Sequence, residues 1–316
     1  MTVSIHSREM TDWHQLLDGC NYDDATRSAL HTILDAVDQF AQSEVPASLA
    51  QAWDHAGVTL DTAQSRAILP AGLPEVLRKL RELGYFGINL EERHGGMALP
   101  ALAETLIVER LSRQCPSLAL FLAVHYTCST MIRTFGTPAQ QEHFLPQMSG
   151  TGDRFILGGL AYTEPGAGSS LGEARCEARP APPSAGPTPN PGDVAIHGRK
   201  IFITSGGLAD LFVLLARTGD EGLSTWLCTP YDDAGKPRAG FSIPKLERKI
   251  RLHASPTAEL LFDGLTIPAN RRLGDAGRGL SHALVGLNSG RLGIAAQALG
   301  IASAAFADAF EYITQR

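Results

Sequence analysis

The chain has 316 residues, enough for a substantial core spread over two or three domains. Hydrophobic residues make up 44% and charged residues 19%, the balance of an ordinary soluble globular protein, and a formal charge of -6 without a Lys/Arg cluster argues against a nucleic-acid surface. Five cysteines, Cys20, Cys115, Cys128, Cys176 and Cys228, form no CxxC and have no His at ligand spacing, so they read as reduced, buried thiols with no metal role.

The first 20 residues show little pattern and lack an apolar core of signal-peptide length. No run approaches the roughly 20 apolar residues of a membrane span, so no span and a cytoplasmic, reducing location are expected. From Asp24, apolar residues at Leu30, Ile33, Leu34, Val37 and Phe40 recur at helical spacing and stop before Pro46. Ala47 to Pro70 is mixed and polar, a helix fragment and loop. Pro74 opens a helix in its first turn, with Val76, Leu77, Leu80 and Leu83 on one face before Gly84. Leu99 to Cys115 predicts another, with Leu102, Leu106 and Leu111 inward and Glu104, Glu109 and Arg110 outward. Ser117 to Phe135 is apolar nearly all round and belongs inside a bundle, with His125 a core histidine because no second ionisable group sits at helical spacing from it. Thr137 and Pro138 cap a helix running through Phe144. The N-terminal half is thus expected to be all helical.

Near Phe155 the pattern changes. Short alternating or apolar runs (Phe155 to Ala161, Val194 to Ile196, Lys200 to Ile203, Leu211 to Ala216, Ser224 to Cys228, Phe241 to Ile243, Ala258 to Phe262) separated by Gly, Pro and Asp predict a compact β-domain. Arg179 to Gly192, rich in Pro and Gly, predicts an exposed hairpin excursion. From Gly279 one long helix is expected, with Leu292, Leu299, Phe306 and Ile313 seven residues apart and Ala295, Ala302 and Ala309 between them, a seam suited to close helix-on-helix contact. The fold class is α+β: a helical domain over 1–153, a β-domain (barrel or sandwich) over 154–275, and the first helix of a helical bundle over 276–316.

Two stretches carry chemistry. LAYTEPGAGSS, Leu160 to Ser170, runs from a strand into Gly166, Ala167 and Gly168, whose N–H groups can approach an anion, flanked by the hydroxyls of Ser169 and Ser170. Alone, that string is better read as a Gly/Ser turn joining two strands. KIFITSGG, Lys200 to Gly207, is an alternating run that also ends in a threonine beside glycines. Two such strands can present paired hydroxyl and amide donors to one planar, polar ligand.

TEPGAGS, KIFITSGGLAD and RLHASPTAELLFDGLTIP (Arg251 to Pro268) resemble the acyl-CoA dehydrogenase family in order and approximate spacing. The likeness extends to LRELGYFGINLEERHGG (Leu80 to Gly96), FGTPAQQEHFLPQMSGTG (Phe135 to Gly152) and GLNSGRLGIAAQALGIA, and so covers about Ala36 to Arg316. It implies FAD between the β-domain and a C-terminal four-helix bundle, oxidation of the Cα–Cβ bond of an acyl-CoA or acyl-carrier thioester, a homo- or hetero-oligomer, and a flavoprotein or oxygen as electron acceptor.

By motif position the resemblance places Leu160, Tyr162 and Thr163 along the isoalloxazine, Thr204 near N5, Phe202 where the family usually has a Trp packed on the flavin, and Ser169 on a phosphate of FAD or CoA. Arg291 matches the arginine of a D-x-x-R stretch with Asn288 in place of the Asp, implying a substrate-side contact, with helix pairing as the alternative. Ser170 replaces a common Asp. The catalytic residue is unassigned: Gly290 occupies the position that carries the base in a minority of members, and the late bundle that carries it in many others is not within these residues. A partner chain supplying that base and the rest of the FAD site is therefore expected. A non-catalytic assembly subunit, and an oxidase or monooxygenase of the same superfamily, are the alternatives.

Overall fold

The computed structural model describes residues 12–182 and 191–316. Asp12 caps α1 (Trp13–Asp18), and Asp23 caps α2 (Asp24–Glu44), its carboxylate accepting the Thr26 N–H at 2.7 Å. Helix α2 buries Leu30, Leu34, Val37 and Phe40, the stripe its spacing predicts. It is followed by α3 (Ala47–Ala56), the hairpin β1 (Thr59–Asp61) and β2 (Arg66–Ile68), α4 (Leu73–Glu82), α5 (Ala101–Gln114), α6 (Pro116–Phe135) and α7 (Pro138–Ser149). A reciprocal Thr137–Gln140 capping box starts α7.

The N-terminal half is therefore not all helical. The 59–68 hairpin is too short to declare itself by alternation and is held from outside. Arg66 pairs with Asp210 at 3.0 Å and lies 3.4 Å over the Tyr231 ring, Ala67 N–H donates to the Gly207 carbonyl, and the Tyr231 hydroxyl donates to the Ser65 carbonyl. It joins the helices to the sheet.

Helix α6 is buried nearly all round, as its composition demands. His125 is fully buried. One ring nitrogen faces the Met148 carbonyl at 3.1 Å, the other accepts the Gly158 N–H at 3.1 Å, and burial pulls its pKa down to about 3. On α5 the outward assignment of Glu109 and Arg110 is wrong: both are buried, between α2 and the long C-terminal helix. Arg113 Nε donates to Glu109 at 2.9 Å and Arg110 Nε lies 3.5 Å from Asp38, so the charges are compensated where they are desolvated.

The sheet comprises β3 (Gly158–Ala161), β4 (Glu177–Pro180), β5 (Val194–Thr204), β6 (Leu211–Arg217), β7 (Leu223–Cys228), β8 (Phe241–Leu246), β9 (Thr257–Ile267) and β10 (Arg272–Leu273) in the order β10-β7-β6-β4-β5-β9-β8, with β3 parallel to β6. Two of the separate runs expected in the sequence, 194–196 and 200–203, are one strand interrupted by register shifts against β9. Arg179 and Pro180 belong to β4, so the expected excursion is shorter at its start. Its remainder over 183–190 lies outside the described residues.

Helix α8 (Gly279–Thr314) runs 36 residues, on the order of 50 Å. It docks on α5 and α6 through a face of small residues, Gly286, Ala296, Gly300 and Ser303. A Cβ at Gly300 would come within 2.2 Å of the Glu109 carbonyl oxygen, so the close approach requires glycine. The seam of larger residues is a different face. Leu292, Phe306 and Ile313 are 59%, 41% and 70% exposed, and Leu284, Val285, Ile294 and Ile301 are exposed beside them. By length and composition alone both α6 and α8 are apolar enough to cross a membrane, contrary to the expectation that no run is; α6 is a core helix and α8 is largely open. All five cysteines are free, four of them buried, and no metal-binding cluster exists among the described residues.

Candidate functional site

Along one edge of β6 the sheet carries two strands end to end. β3 pairs with Gly158–Ala161 opposite Leu211–Leu214, the chain then leaves the sheet, and β4 re-enters the same edge with Glu177 opposite Arg217. The departure is the TEPGAGSS turn. Glu164 and Ala167 exchange backbone hydrogen bonds at 3.0 and 3.1 Å, closing a tight loop from which Pro165, Gly166, Gly168, Ser169 and Ser170 face solvent. A Cβ at Gly166 or Gly168 would meet nothing within 4 Å, so the room beside the turn is available to a ligand.

The gap between β3 and β4 is plugged by charge. Lys200, on β5, is fully buried, and its Nζ donates to the Tyr162 carbonyl at 3.0 Å and to Glu164 Oε1 at 2.7 Å. The Glu164 carboxylate also accepts the Arg175 N–H at 2.7 Å and the Cys176 N–H at 3.0 Å, and Ile201 N–H donates to the Thr163 carbonyl at 2.9 Å. Both carboxylate oxygens and two of the three ammonium donors of this pair are used within the fold, which is what permits two charges so far from water. The consequence is positional: the ends of β3 and β5, with Thr163 on one and Thr204 on the other, are pinned together.

Beyond Lys200, β5 bulges. Lys200 faces Leu260 and Ile203 faces Ala258, so Ile201 and Phe202 share one opposing residue. Phe202 takes φ 57° and lies 60% exposed. A non-glycine residue there costs of order 1–2 kcal/mol, and an apolar ring held outward at that cost marks a surface built to be covered. Leu160, Thr163 and Thr204 are partly buried. The Tyr162 ring is instead buried with Cys128 and Met131, so what that residue can offer a ligand is its main chain.

Asn288 and Arg291 lie exposed on α8, Arg291 Nη1 donating to Asn288 Oδ1 at 2.6 Å. The next residues of α8, Ser289, Leu292 and Gly293, border a narrow slot against α5 and α6, whose other wall includes Glu104, Thr105 and Tyr126. Burial pushes the Glu104 carboxyl up to about 7, against the opposing effects of Asn89 and Arg133. Two features of the site escaped motif reasoning: the Lys200 ammonium inside the sheet and Glu104, expected outward but half-buried. A lysine at an inward position of an alternating strand was the signal for the first; nothing in the sequence marked the second, which is sheltered because α6 and α8 flank it.

Helices packed on one side of a bulged sheet, a paired-threonine edge and a long, half-bare helix define an α+β architecture of acyl-CoA dehydrogenase type. Comparison with known proteins gives the same answer. Residues 28–151 match the model of the acyl-CoA dehydrogenase N-terminal domain and residues 159–265 that of its middle domain. A short-chain specific acyl-CoA dehydrogenase of Megasphaera elsdenii is 38% identical over 252 residues, 77% of this chain and 61% of that protein. An acryloyl-CoA reductase (NADH) of Anaerotignum propionicum is 32% identical over 66% of this chain and 50% of its own. Among solved structures, butyryl-CoA dehydrogenase from Megasphaera elsdenii superposes with a TM-score of 0.77 at 31% identity, covering 94% of this chain and 70% of that one. An acyl-CoA dehydrogenase complexed with FAD from Bacillus anthracis gives 0.72 at 25% identity, over 89% and 42%. The chain belongs to the acyl-CoA dehydrogenase family, and it spans 61% and 50% of the length of these two curated relatives.

Proposed function

We propose that this chain furnishes the flavin-facing half of an acyl-CoA dehydrogenase-type site and takes part in FAD-dependent α,β-dehydrogenation of an acyl thioester, as a cytoplasmic homo- or hetero-oligomer passing electrons to a flavoprotein or to oxygen. The observation that carries this reading is the exposed, left-handed Phe202 on the β5 bulge, two residues before Thr204, with Thr163 bound to the same strand through the Ile201 N–H and the neighbouring Lys200–Glu164 pair. That edge fits a flat, polar heterocycle: an apolar ring to pack on its face, threonine hydroxyls at its rim, and open glycines with Ser169 beyond for a phosphate. FAD bound there would supply hydride acceptance from Cβ as a proton leaves Cα.

The chain's own residues orient and exclude. Thr163 and Thr204 hold the cofactor edge, Phe202 keeps water from one face, and Leu160 and the Tyr162 main chain complete the wall. Asn288 and Arg291 take the substrate side, Arg291 being the cation on α8 nearest the slot, already tethered to Asn288. No Asp or Glu lies on α8 before Asp308, and in this reading a partner chain, packed on the open face of α8, supplies the base that removes the α-proton and the rest of the FAD site. The same absence favours a second reading, an assembly subunit that docks on a catalytic homologue without turning over.

The test is flavin uptake. The chain, alone and mixed with a full-length relative, is incubated with FAD and desalted; retained flavin absorbance that falls at least tenfold in Thr163→Ala/Thr204→Ala supports the first reading. Retention unaffected by those substitutions, or no retention in either mixture, refutes it. Turnover of the mixture that survives removal of this chain selects the assembly subunit, and oxygen consumption without an added dye acceptor selects an oxidase.

A further inference from the structure

The chain has five lysines. Lys79 is paired with Glu44 at 2.7 Å, Lys200 with Glu164, and Lys245 with Glu247 and Glu259 at 3.1 and 3.6 Å; Lys236 is exposed, with no ion pair among the described residues. Lys249 differs from all of these. It is partly buried in the loop between β8 and β9, its Nζ donates to the Ser255 carbonyl, and among the described residues no carboxylate lies within ion-pair distance. A carbonyl accepts equally from an ammonium and from a neutral amine, so nothing in its contacts demands the proton.

Lys249 opens on a polar cleft of about 550 Å³ between the end of α3 and this loop, bordered also by His55, Glu247, Arg248 and His253. Glu247 is engaged by Lys245, and His253 is fixed, one ring nitrogen on the Lys249 carbonyl at 2.8 Å and the other on the Asp54 carbonyl at 3.1 Å. The cleft therefore joins a sheltered amine to a rim carrying the exposed Arg248 guanidinium and His55 imidazole. That combination suits an electrophile carried on a polyphosphate, which is the make-up of an acyl-CoA.

We propose that Lys249 is a site of covalent Nε-acylation by acyl thioesters, the rim of the cleft drawing in the phosphates of the donor while the amine takes the acyl group. The neutral Nζ attacks the thioester carbonyl carbon; the C–N bond forms as the C–S bond breaks. The thiolate leaves and takes up the proton the nitrogen sheds, with no change of oxidation state and no other reactant. The availability of such donors near this chain rests on the function proposed above, but the chemistry at Lys249 needs neither flavin nor partner. Desolvation lowers the Lys249 pKa to about 8, outweighing the field of Asp54. Roughly a quarter of it is then neutral at pH 7.5, against about one part in a thousand of an ordinary lysine near 10.4. Lower basicity returns part of that advantage as weaker nucleophilicity.

Acetyl-CoA incubated with the full-length chain at pH 7.5, followed by peptide mapping with mass spectrometry, tests this within one molecule. Lys249 is expected to acetylate about tenfold faster than the exposed Lys236, with the preference shrinking towards pH 10 as Lys236 loses its proton. Lys249→Arg should remove that label and leave the other four lysines unchanged. Equal or slower labelling of Lys249 relative to Lys236 overturns the proposal. So does selective labelling by uncharged phenyl acetate without selective labelling by acetyl-CoA, which would leave a reactive amine with no thioester site. Because no flavin is present, neither result bears on the FAD reading, and loss of flavin binding does not bear on this one.

Discussion

Helices α6 and α8 are the two long apolar helices of the molecule, alike in composition and opposite in circumstance. α6 is enclosed on all sides; its residues Leu118, Phe121, Leu122 and Ile132 are fully buried, and its polar members are satisfied internally, His125 by Met148 and Gly158 and Thr127 by the Ala123 carbonyl. α8 is enclosed on one face only, where mostly small residues, Gly286, Ala296, Gly300 and Ser303, are joined by His282 and Gln297; Leu280 and Leu287 pack on the core, while Leu284, Leu292, Ile294, Ile301, Phe306 and Ile313 are exposed. Burial of apolar area is worth roughly 25 cal/mol per Å², so α6 contributes its large side chains to the stability of this chain and α8 withholds most of its own. A helix that spends its small residues on its neighbours and keeps most of its large ones bare has its stabilising contacts still to make.

Substitutions in the two helices measure that asymmetry. The largest effect belongs to Phe121→Ala in α6, expected to cost about 3–5 kcal/mol in urea unfolding, because a fully buried ring leaves a cavity. A cost below about 1 kcal/mol would show the α6 environment to be loosely packed. On the docked face of α8, Gly300→Leu puts side-chain atoms into the Glu109 backbone, and about 1–3 kcal/mol should be lost, or α8 should detach and its amides exchange faster while the sheet stays protected. Retained stability and protection would mean that α8 is not seated on α5 as described.

Between the helices, Glu104 gives a pH-dependent readout. Its carboxyl titrates at about 7 in the fold and near 4.3 unfolded, so its ionisation opposes folding. The stability it permits is complete below about pH 4 and declines as pH rises to about 7. Glu104→Gln should therefore gain about 1–3 kcal/mol over wild type at pH 8 and nearly nothing at pH 4, allowing for its partial exposure. A gain independent of pH would exclude the slot as the cause. The smallest effect is Phe306→Ala on the bare face of α8, within about 0.5 kcal/mol for the chain alone. Added to a full-length relative, the same substitution should weaken any complex detected by sedimentation; an unchanged complex would place the partner elsewhere.

The sequence by itself determined the elements whose signal is local. The stripe of α2, the all-round apolarity of α6, the Thr137 cap, and the order and chemistry of the two threonine-ended strands all follow from spacing and residue type, because a helix face or a turn is fixed by neighbours within a few positions. The resemblance carried by those strands led to the family. Only the tertiary structure decided what depends on contacts between distant segments. Glu109 and Arg110 are buried because α2 and α8 cover α5, and the 59–68 hairpin forms because Arg66 finds Asp210 and Tyr231. Lys200 can be neutralised inside the sheet because β3 and β4 leave a gap for Glu164. The repeat on α8 likewise could not say which of its two stripes would dock. That choice went to the small residues, since only they allow its backbone to lie against that of α5.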